Sequence, residues 1–251
     1  MALKKQNKKA FIPYIMAGDP NLEKTIEYVR LLEKCGADIV ELGVPFTDPL
    51  ADGPTIQRAA ERALKAGVTL KKVIALVKDL RQYTRIPIVL MTYYNPVFRY
   101  GEERFVRDAV SAGIDGVITP DLPPDEAAGL IRLSRVAGLD TIFLLAPTST
   151  DNRIKKVAGA STGFIYYVSV TGITGSSLLI DDELYTSINR IKALTKKPVC
   201  VGFGVSTPED AISISKVSDG VIIGSAIVKK IVEGSEEGLK DFLINIRGAI
   251  R

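Results

Sequence analysis

The sequence predicts a (β/α)8 barrel, or TIM barrel, that forms a single domain over residues 1–251. Eight short apolar runs rich in β-branched residues recur along the chain, and helical patterns separate them. Repeated parallel βα units imply right-handed crossovers, and eight of them in about 250 residues are typical of a closed barrel. No linker or break in composition divides the chain, so we expect one domain.

The predicted strands read as near-continuous apolar segments, as expected for parallel strands that are covered on both faces. They are Phe11–Met16, Asp38–Gly43, Ile86–Thr92, Gly116–Thr119, Thr141–Ala146, Gly163–Ser169, Val199–Phe203 and Gly220–Ile223.

The predicted helices cover residues 22–34, 54–66, 70–83, 102–112, 125–137, 151–158, 183–194, 208–216 and 236–247. One of them is additional to the eight βα units and follows the second strand. Thr207–Asp210 combines an N-cap threonine, a proline and acids in the first turn, and Asp121–Glu126 suggests the same start for the helix at 125. Gly36 and Gly138 predict helix ends.

A doubly wound open sheet is the competing fold class. It would usually have fewer strands and a glycine-rich turn after the first of them. Here that turn is Ala17–Pro20, which does not match G-x-G-x-x-G.

Composition excludes several kinds of function. A net charge of +4 is too small to indicate nucleic-acid binding, and no apolar run reaches the roughly 20 residues of a membrane span. The start of the chain lacks the apolar core of a secretory signal, so we expect a cytoplasmic location. Cys35 and Cys200 are expected to be reduced structural thiols. With no histidine in the chain, acid–base chemistry must use carboxylates, tyrosines, lysines or thiols.

Glu41 is the first candidate for chemistry, because it is a carboxylate inside a strand that should be apolar. It shares strand parity with Ile39, so it should point into the barrel mouth if Ile39 fills the barrel core. Its pKa should then be raised, which would let it donate as well as accept a proton. A structural ion pair is the alternative, although no lysine or arginine lies in the eight strands.

Asp52 and Tyr166 are weaker candidates when taken alone. Asp52 lies in a Pro/Gly loop before Pro54, where an aspartate is as easily a turn or N-cap residue. Tyr166 shares parity with Phe164 and Val168 at the end of the sixth strand, and a strand tyrosine is normally part of a core.

Three glycine-containing loops follow the last three strands and suggest a phosphate site. They are 171–176, 202–206 and 224–226, and the third opens a helical run. Glycine lets backbone N–H groups approach an anion, and a helix N-terminus favours negative charge. Each glycine could instead serve only a turn, but TIM barrels often hold phosphate at the late loops.

Several blocks together resemble the tryptophan synthase alpha chain family, from about residue 11 to the C-terminus. The longest is Glu41–Gln57, with the sequence ELGVPFTDPLADGPTIQ. The others are Phe11–Pro20 (FIPYIMAGDP), Thr119–Pro123 (TPDLP), Tyr166–Gly175 (YYVSVTGITG), Gly202–Gly204 (GFG) and Gly224–Ser225 (GS). The chain has Thr47 and Tyr14 where the family also uses serine and phenylalanine.

The resemblance implies roles for individual residues. Glu41 would be the catalytic carboxylate, Asp52 would interact with the N–H of an indole ring, and Tyr166 would support Glu41. Residues 172–182 would form a lid. The implied phosphate contacts are Gly175, Gly204, Gly224 and Ser225, and the implied indole pocket is Tyr14, Met91, Ile118, Thr174 and Phe203.

By the same resemblance, the activity would be retro-aldol cleavage of indole-3-glycerol phosphate to indole and D-glyceraldehyde 3-phosphate, with no metal or organic cofactor in this chain. The partner would be a tryptophan synthase beta chain that holds pyridoxal phosphate, in an α2β2 heterotetramer. The loops at Pro45–Thr55 and Asn95–Pro96 would be its contact surface.

Three other functions are the alternatives for a barrel with such loops, and the sequence argues against each. A Schiff-base aldolase needs a lysine in the barrel mouth, and the sixth strand has none. A metal-dependent sugar-phosphate epimerase usually needs histidine ligands, which the chain lacks. A barrel that only activates a partner chain would not need both Glu41 and Asp52.

Overall fold

The computed structural model describes residues 8–169, 182–202 and 204–250. The strands are β1 (Ala10–Met16), β2 (Val40–Gly43), β3 (Ile88–Met91), β4 (Gly116–Ile118), β5 (Asp140–Ile142), β6 (Leu144–Leu145), β7 (Ile165–Val168), β8 (Val199–Gly202) and β9 (Gly220–Ile223). The helices are α1 (Leu22–Lys34), α2 (Pro54–Lys65), α3 (Leu70–Leu80), α4 (Tyr94–Tyr100), α5 (Glu102–Ala112), α6 (Ala128–Ala137), α7 (Asp151–Ala160), α8 (Asp182–Leu194), α9 (Pro208–Val217), α10 (Ser225–Glu233) and α11 (Glu236–Ala249).

The strands form one parallel sheet in the order β5-β4-β3-β2-β1-β9-β8-β7-β6. β5 and β6 are consecutive parts of one stretch that is interrupted only at Phe143. β5 pairs with β4 and β6 pairs with β7, so this stretch joins the two ends of the sheet. The predicted TIM barrel is confirmed, with the fifth barrel strand in two pieces.

Apolar side chains pack in two layers, one inside the barrel and one between the strands and the helices. Along β2, Val40 and Leu42 belong to the outer layer. The preceding Ile39 packs with the inner layer. Strand alternation therefore directs Glu41 to the interior, as its parity with Ile39 predicted. The inner layer contains Ala10, Ile12, Val89, Ile118, Ile142, Phe164, Tyr166, Cys200 and Ile222.

The described helices agree with the predicted alternation and exceed it in two places. Two helices, α2 and α3, follow β2, as the additional helix required. A second pair, α4 and α5, follows β3, and α10 and α11 follow β9. Sequence reasoning treated Asn95–Pro96 as a loop, but Pro96 lies in the first turn of α4, where a missing N–H costs nothing. Leu80 ends α3 three residues earlier than predicted.

The expected cap at Asp121–Glu126 was wrong. Ala127 is the N-cap of α6, no side chain caps it, and the helix begins at Ala128 instead of residue 125. The carboxylate of Asp121 instead accepts the backbone N–H of Tyr94 at the start of α4, at 2.9 Å. The N-cap residue of α4 makes no side-chain hydrogen bond, and the fold brings Asp121 close to the start of that helix. Asp121 therefore caps α4, although the local sequence pattern predicted a cap for the helix at 125.

Other terminal signals behaved as predicted. Thr207 and Asp210 form a capping box on α9, and Pro208 is its first residue. Gly138 ends α6 with a positive φ of 79°. Gly36 has a φ of 89° just after the end of α1. Cys35 and Cys200 are both free and buried.

The amino-terminal end of the barrel carries a repeated hydrogen-bond arrangement. A polar residue just before β2, β4, β7 and β9 accepts a backbone N–H near the start of the preceding barrel strand. The four side-chain acceptors and their N–H donors are Asp38 and Phe11, Asp115 and Ile88, Thr162 and Thr141, and Asp219 and Val199, at 2.8–2.9 Å. In each pair the acceptor residue returns its own N–H to the partner's carbonyl oxygen.

Each of the three aspartates in this arrangement also meets a cation from an outer helix. Arg247 of α11 contacts Asp38, Arg81 at the C-cap of α3 contacts Asp115, and Lys192 of α8 contacts Asp219. These residues therefore fix the strand starts to one another and to the helical layer. We call the four pairs the strand-start clamps.

Replacing Asp219 by alanine should destabilise the fold. The Val199 N–H would lose its acceptor and Lys192 its carboxylate, which should lower the free energy of unfolding by about 1–3 kcal/mol. Urea denaturation measures this. Asp125→Ala is the matched control, because Asp125 makes two ion pairs on the exposed surface, and such pairs contribute about 1 kcal/mol or less. Equal losses in both variants would contradict a special role for the clamp.

Candidate functional site

Glu41 lies at the carboxyl-terminal end of the barrel interior, where TIM-barrel enzymes carry their chemistry. It stands in register with Tyr14 of β1 on one side and with Val89 of β3 on the other. Its residue exposure is 1%, and neither carboxylate oxygen has a hydrogen-bond partner among the described residues. A structural ion pair, the alternative considered from sequence, is therefore not formed by the described part of the chain.

The pKa of Glu41 is raised to about 8, first because burial disfavours the charged carboxylate and second because Asp52 contributes negative charge. At neutral pH the group is therefore mostly protonated. A carboxylic acid that keeps its proton at pH 7 can donate it, and its conjugate base can then accept another.

Asp52 lies in the loop between β2 and α2, and a tyrosine holds it there. The hydroxyl of Tyr93 donates to the Asp52 carboxylate and accepts the backbone N–H of Ala51 at 2.9 Å. Burial raises the pKa of Asp52 to about 6, and the Tyr93 hydrogen bond opposes this rise. A turn role and an N-cap role were the alternatives for Asp52. The N-cap of α2 is Gly53, with no side-chain hydrogen bond, so Asp52 does not cap that helix. Its backbone N–H does close a turn onto the carbonyl oxygen of Pro49 at 3.0 Å.

Two further contacts define this loop. The ring of Phe46 stacks on Tyr93 with centroids 5.2 Å apart. Gln57 of α2 donates its side-chain amide to the backbone oxygen of Asp52 at 2.8 Å. The loop is thus attached to Tyr93, close after β3, and to α2. These attachments limit where the Asp52 carboxylate can lie.

Two tyrosines enter the barrel mouth and each lies over a glycine of the next strand. A methyl group added at Gly43 of β2 would overlap the hydroxyl of Tyr14. A methyl group added at Gly202 of β8 would overlap the hydroxyl of Tyr166 in the same way. Glycine at these two positions is therefore what makes room for the rings.

The orientation of strand β7 separates Tyr166 from Tyr167, which sequence alone left open. Tyr166 packs in the inner layer, and Tyr167 packs in the outer layer against the helices. Burial is the main cause that raises the pKa of Tyr166, and the negative charge of Glu41 is the next. Tyr166 is therefore the tyrosine of this pair that faces Glu41. Met91 and Ile118 also pack in the inner layer.

The described part of the predicted phosphate region has the expected backbone forms. Gly204 follows β8 with a φ of 77°, a conformation that favours glycine. Gly224 is the N-cap residue of α10 and Ser225 is the first residue of that helix. The first N–H groups of a helix have no partner within it, so this end of α10 can receive an anion.

Some predicted residues lie outside the described residues. These are Thr174, Gly175 and Phe203, together with the predicted lid except its last residue. Their assignments remain predictions.

Sequence reasoning missed Tyr93. It follows the end of β3 in a run of Thr, Tyr and Tyr, and no local pattern distinguishes it from Tyr94. Its importance comes from contact with Asp52 and Ala51, about 40 positions earlier in the chain. Only the meeting of the β2 and β3 ends shows it.

Two features are absent from the part of the chain that the structure describes. No group of three His, Cys, Asp or Glu side chains there is arranged to hold a metal ion. Among the same residues, no helix combines the length and apolar character needed to cross a membrane.

Comparison with known proteins agrees on one family. A model of the tryptophan synthase alpha chain family matches residues 1–248. The tryptophan synthase alpha chain of Geotalea uraniireducens is 53% identical over 249 residues, which cover 99% of this chain and 93% of the relative, and that of Burkholderia multivorans is 48% identical, covering 99% and 94%.

Solved structures give the same result. The crystal structure of tryptophan synthase subunit alpha from Legionella pneumophila superposes with a TM-score of 0.92 at 40% identity and covers 99% of this chain and 95% of its own. A structure of Mycobacterium tuberculosis tryptophan synthase gives 0.92 at 39% identity, covering 100% and 95%.

Replacing Tyr93 by phenylalanine should raise the pKa of Asp52 above about 6, because the hydrogen bond that favours the ionised carboxylate is removed. Carboxyl-carbon NMR titration of Asp52 measures the shift. Tyr94→Phe is the matched control, since the Tyr94 hydroxyl contacts Glu102 instead. An unchanged Asp52 titration in Tyr93→Phe would show that the hydrogen bond has no influence on this carboxyl.

Proposed function

The chain belongs to the tryptophan synthase alpha chain family, and on that premise we propose that Glu41 and Asp52 carry the family's reaction here. The chain is a carbon–carbon lyase of L-tryptophan biosynthesis. It cleaves indole-3-glycerol phosphate into indole and D-glyceraldehyde 3-phosphate, the alpha reaction. The observation that carries the proposed mechanism is the buried carboxyl of Glu41 in the barrel mouth, which has no hydrogen-bond partner among the described residues.

Glu41 supplies the proton that the bond cleavage requires. The protonated carboxyl donates to C3 of the indole ring, which makes that carbon tetrahedral and places positive charge on the ring nitrogen. The resulting carboxylate then accepts the proton of the adjacent glycerol hydroxyl. As the carbonyl of the aldehyde forms, the carbon–carbon bond breaks and its electron pair restores the aromatic indole. Glu41 ends protonated, as it began.

Asp52 stabilises the positive charge that develops at the ring nitrogen. For this it must be ionised while Glu41 is protonated. Its pKa of about 6 and that of Glu41, about 8, allow both conditions between these values. Two carboxyl groups whose environments separate their pKa values are a common basis for distinct acid and anion roles. Tyr93 supports this division, since its hydrogen bond favours the ionised form of Asp52.

The surrounding residues orient the substrate and the acid. Tyr166 positions Glu41 from across the barrel. Tyr14, Met91 and Ile118, with Thr174 and Phe203 by resemblance, surround the indole ring, and the inner-layer packing of Met91 and Ile118 supports that assignment.

The phosphate end uses main-chain groups. Gly204, Gly224 and Ser225, with Gly175 by resemblance, hold the phosphate, and the N-terminus of α10 directs its free N–H groups to it. Binding energy from this remote group aligns the reacting carbon with Glu41. The segment 172–182 serves as the lid that excludes water.

We further propose that no metal or organic cofactor takes part in this chain. Every step above is a proton transfer by Glu41 or the movement of a bond pair into an aromatic ring, and Asp52 stabilises the charge that develops. Unchanged indole release in the presence of a strong chelator is the outcome that this proposal requires.

The alpha chain family works with a beta subunit. We propose an α2β2 heterotetramer in which the beta chain holds pyridoxal phosphate and receives the indole. The contact surface would be Pro45–Thr55 together with Asn95–Pro96. Large apolar side chains in and beside these segments support this, because Leu50 is 95% exposed and Phe98 is 67% exposed. Exposed apolar side chains of this kind mark interaction surfaces when they occur together.

Replacing Glu41 by glutamine should leave folding and phosphate binding intact and lower turnover by about 10²–10⁴, because the amide keeps the shape but cannot donate the proton. Indole release from indole-3-glycerol phosphate measures turnover, and it should be followed from pH 5 to 9. The wild-type activity should rise as Asp52 ionises near pH 6 and fall as Glu41 loses its proton near pH 8. Near-normal turnover in the variant would remove Glu41 from the mechanism.

Replacing Leu50 by serine should weaken binding to a tryptophan synthase beta chain by about 10-fold, the loss expected when an exposed leucine can no longer be buried. Titration calorimetry measures the affinity. Val136→Ser is the matched control, because Val136 is 86% exposed on α6, outside the proposed surface. If both variants bind as tightly as the wild type, Leu50 is not part of the contact.

A further inference from the structure

Tyr14 crosses the barrel mouth from the phosphate end to the carboxylate end. The base of its side chain lies against Gly224, where an added methyl group would be 3.5 Å from its Cβ and Cδ1 atoms. Its hydroxyl lies over Gly43, where an added methyl group would overlap it. The ring therefore extends from the end of β9, across β1, to β2.

Glu41 lies beside Tyr14 on the neighbouring strand. It pairs in register with Tyr14, and it precedes Gly43 by two residues, so the two share the inner face of β2. Neighbouring parallel strands are about 4.8 Å apart, which brings a glutamate carboxyl and a tyrosine hydroxyl on paired positions within reach of each other. Both Glu41 oxygens lack a partner among the described residues.

Within the described residues, the hydroxyl of Tyr14 has only a weak interaction to give up. The contact recorded for it is with the sulfur of Met16 at 4.0 Å, and a thioether is a poor acceptor. A carboxylate is a much stronger one, and hydrogen bonds to charged groups are the more stabilising kind.

The arrangement of Tyr14 repeats that of Tyr166. Each is a tyrosine of one strand whose hydroxyl occupies the space over a glycine of the next strand, Gly43 and Gly202 respectively. Burial is the main cause that raises the pKa of both hydroxyls, and the negative charge of Glu41 contributes to the rise in each. The family resemblance assigned support of the catalytic carboxylate to Tyr166 alone, and the family also uses phenylalanine at the position of Tyr14.

We propose that Tyr14 is a second positioning residue for Glu41, whose hydroxyl donates a hydrogen bond to the carboxylate that forms when Glu41 gives up its proton. This rests on the proposed function. The hydrogen bond would strengthen as negative charge develops on Glu41, so it would stabilise the transition state more than the resting enzyme.

The other titratable groups around Glu41 are poor candidates for donating a hydrogen bond to its carboxylate. Asp52, from the loop before α2, bears negative charge and opposes ionisation of Glu41. Cys200 of β8 has a pKa raised by burial, and a thiol is a weak donor. Tyr93, after β3, is engaged with Asp52 and Ala51. Of the titratable groups that the structure describes here, Tyr14 from β1 and Tyr166 from β7 are the hydroxyl donors that remain.

The test compares the pH profile of turnover in wild type, Tyr14→Phe, Tyr166→Phe and the double variant, measured as indole release. Tyr14→Phe keeps the ring that lines the pocket and removes only the donor. We expect its alkaline limb to move to higher pH by about one unit, since the ionised Glu41 loses stabilisation. Its kcat should fall about 10-fold with little change in KM. The double variant should show a larger shift than either single variant.

Tyr167→Phe is the matched control, because it removes a buried hydroxyl from the same strand as Tyr166 but from the outer face. An alkaline limb in Tyr14→Phe at the wild-type position would overturn the proposal, and so would an equal shift in Tyr167→Phe. A uniform loss at every pH would assign Tyr14 to packing alone and overturn it too. Failure of the proposed function looks different, since wild type would then release no indole or Glu41→Gln would retain turnover.

Discussion

The site depends on the burial of a single carboxyl group. Glu41 is enclosed by a barrel whose inner layer is almost entirely apolar, and neither of its oxygens is satisfied by the residues that the structure describes. Enclosure of this kind is unfavourable for a charged group, so it holds the proton on Glu41 at neutral pH. The reactivity of the group and its destabilising effect on the fold thus have the same physical origin.

The space around this carboxyl is made by glycine and occupied by tyrosine. Gly43 and Gly202 lie on the inner faces of two strands, and their missing side chains admit the rings of Tyr14 and Tyr166. A barrel of this size has an interior only wide enough for side chains to fill. Polar hydroxyls can therefore enter the interior only where a neighbouring strand contributes no side chain.

Charged residues at the amino-terminal end of the barrel stabilise the fold, whereas those at the carboxyl-terminal end are proposed to carry the chemistry. At the amino-terminal end, three of the four strand-start clamps satisfy backbone N–H groups with carboxylates that are themselves paired with Arg247, Arg81 and Lys192. At the other end, Glu41 has no such partner in the part of the chain that the structure describes, and Asp52 is held by the neutral hydroxyl of Tyr93. The clamp carboxylates are paired with cations. Glu41 and Asp52, which are proposed to react, have raised pKa values.

The sequence by itself determined the barrel and the inward direction of Glu41, because strand alternation and the βα repeat are local patterns that a closed parallel sheet must obey. The family followed separately, from the resemblance of its motifs. The sequence could not show that α4 forms around Pro96, that Asp121 caps α4 instead of α6, or that Tyr93 holds Asp52. Each of these depends on groups far apart in the chain that meet only when the strand ends converge. The tertiary structure also decided which of two adjacent tyrosines faces the carboxyl, since that follows from the register of β7 in the closed sheet.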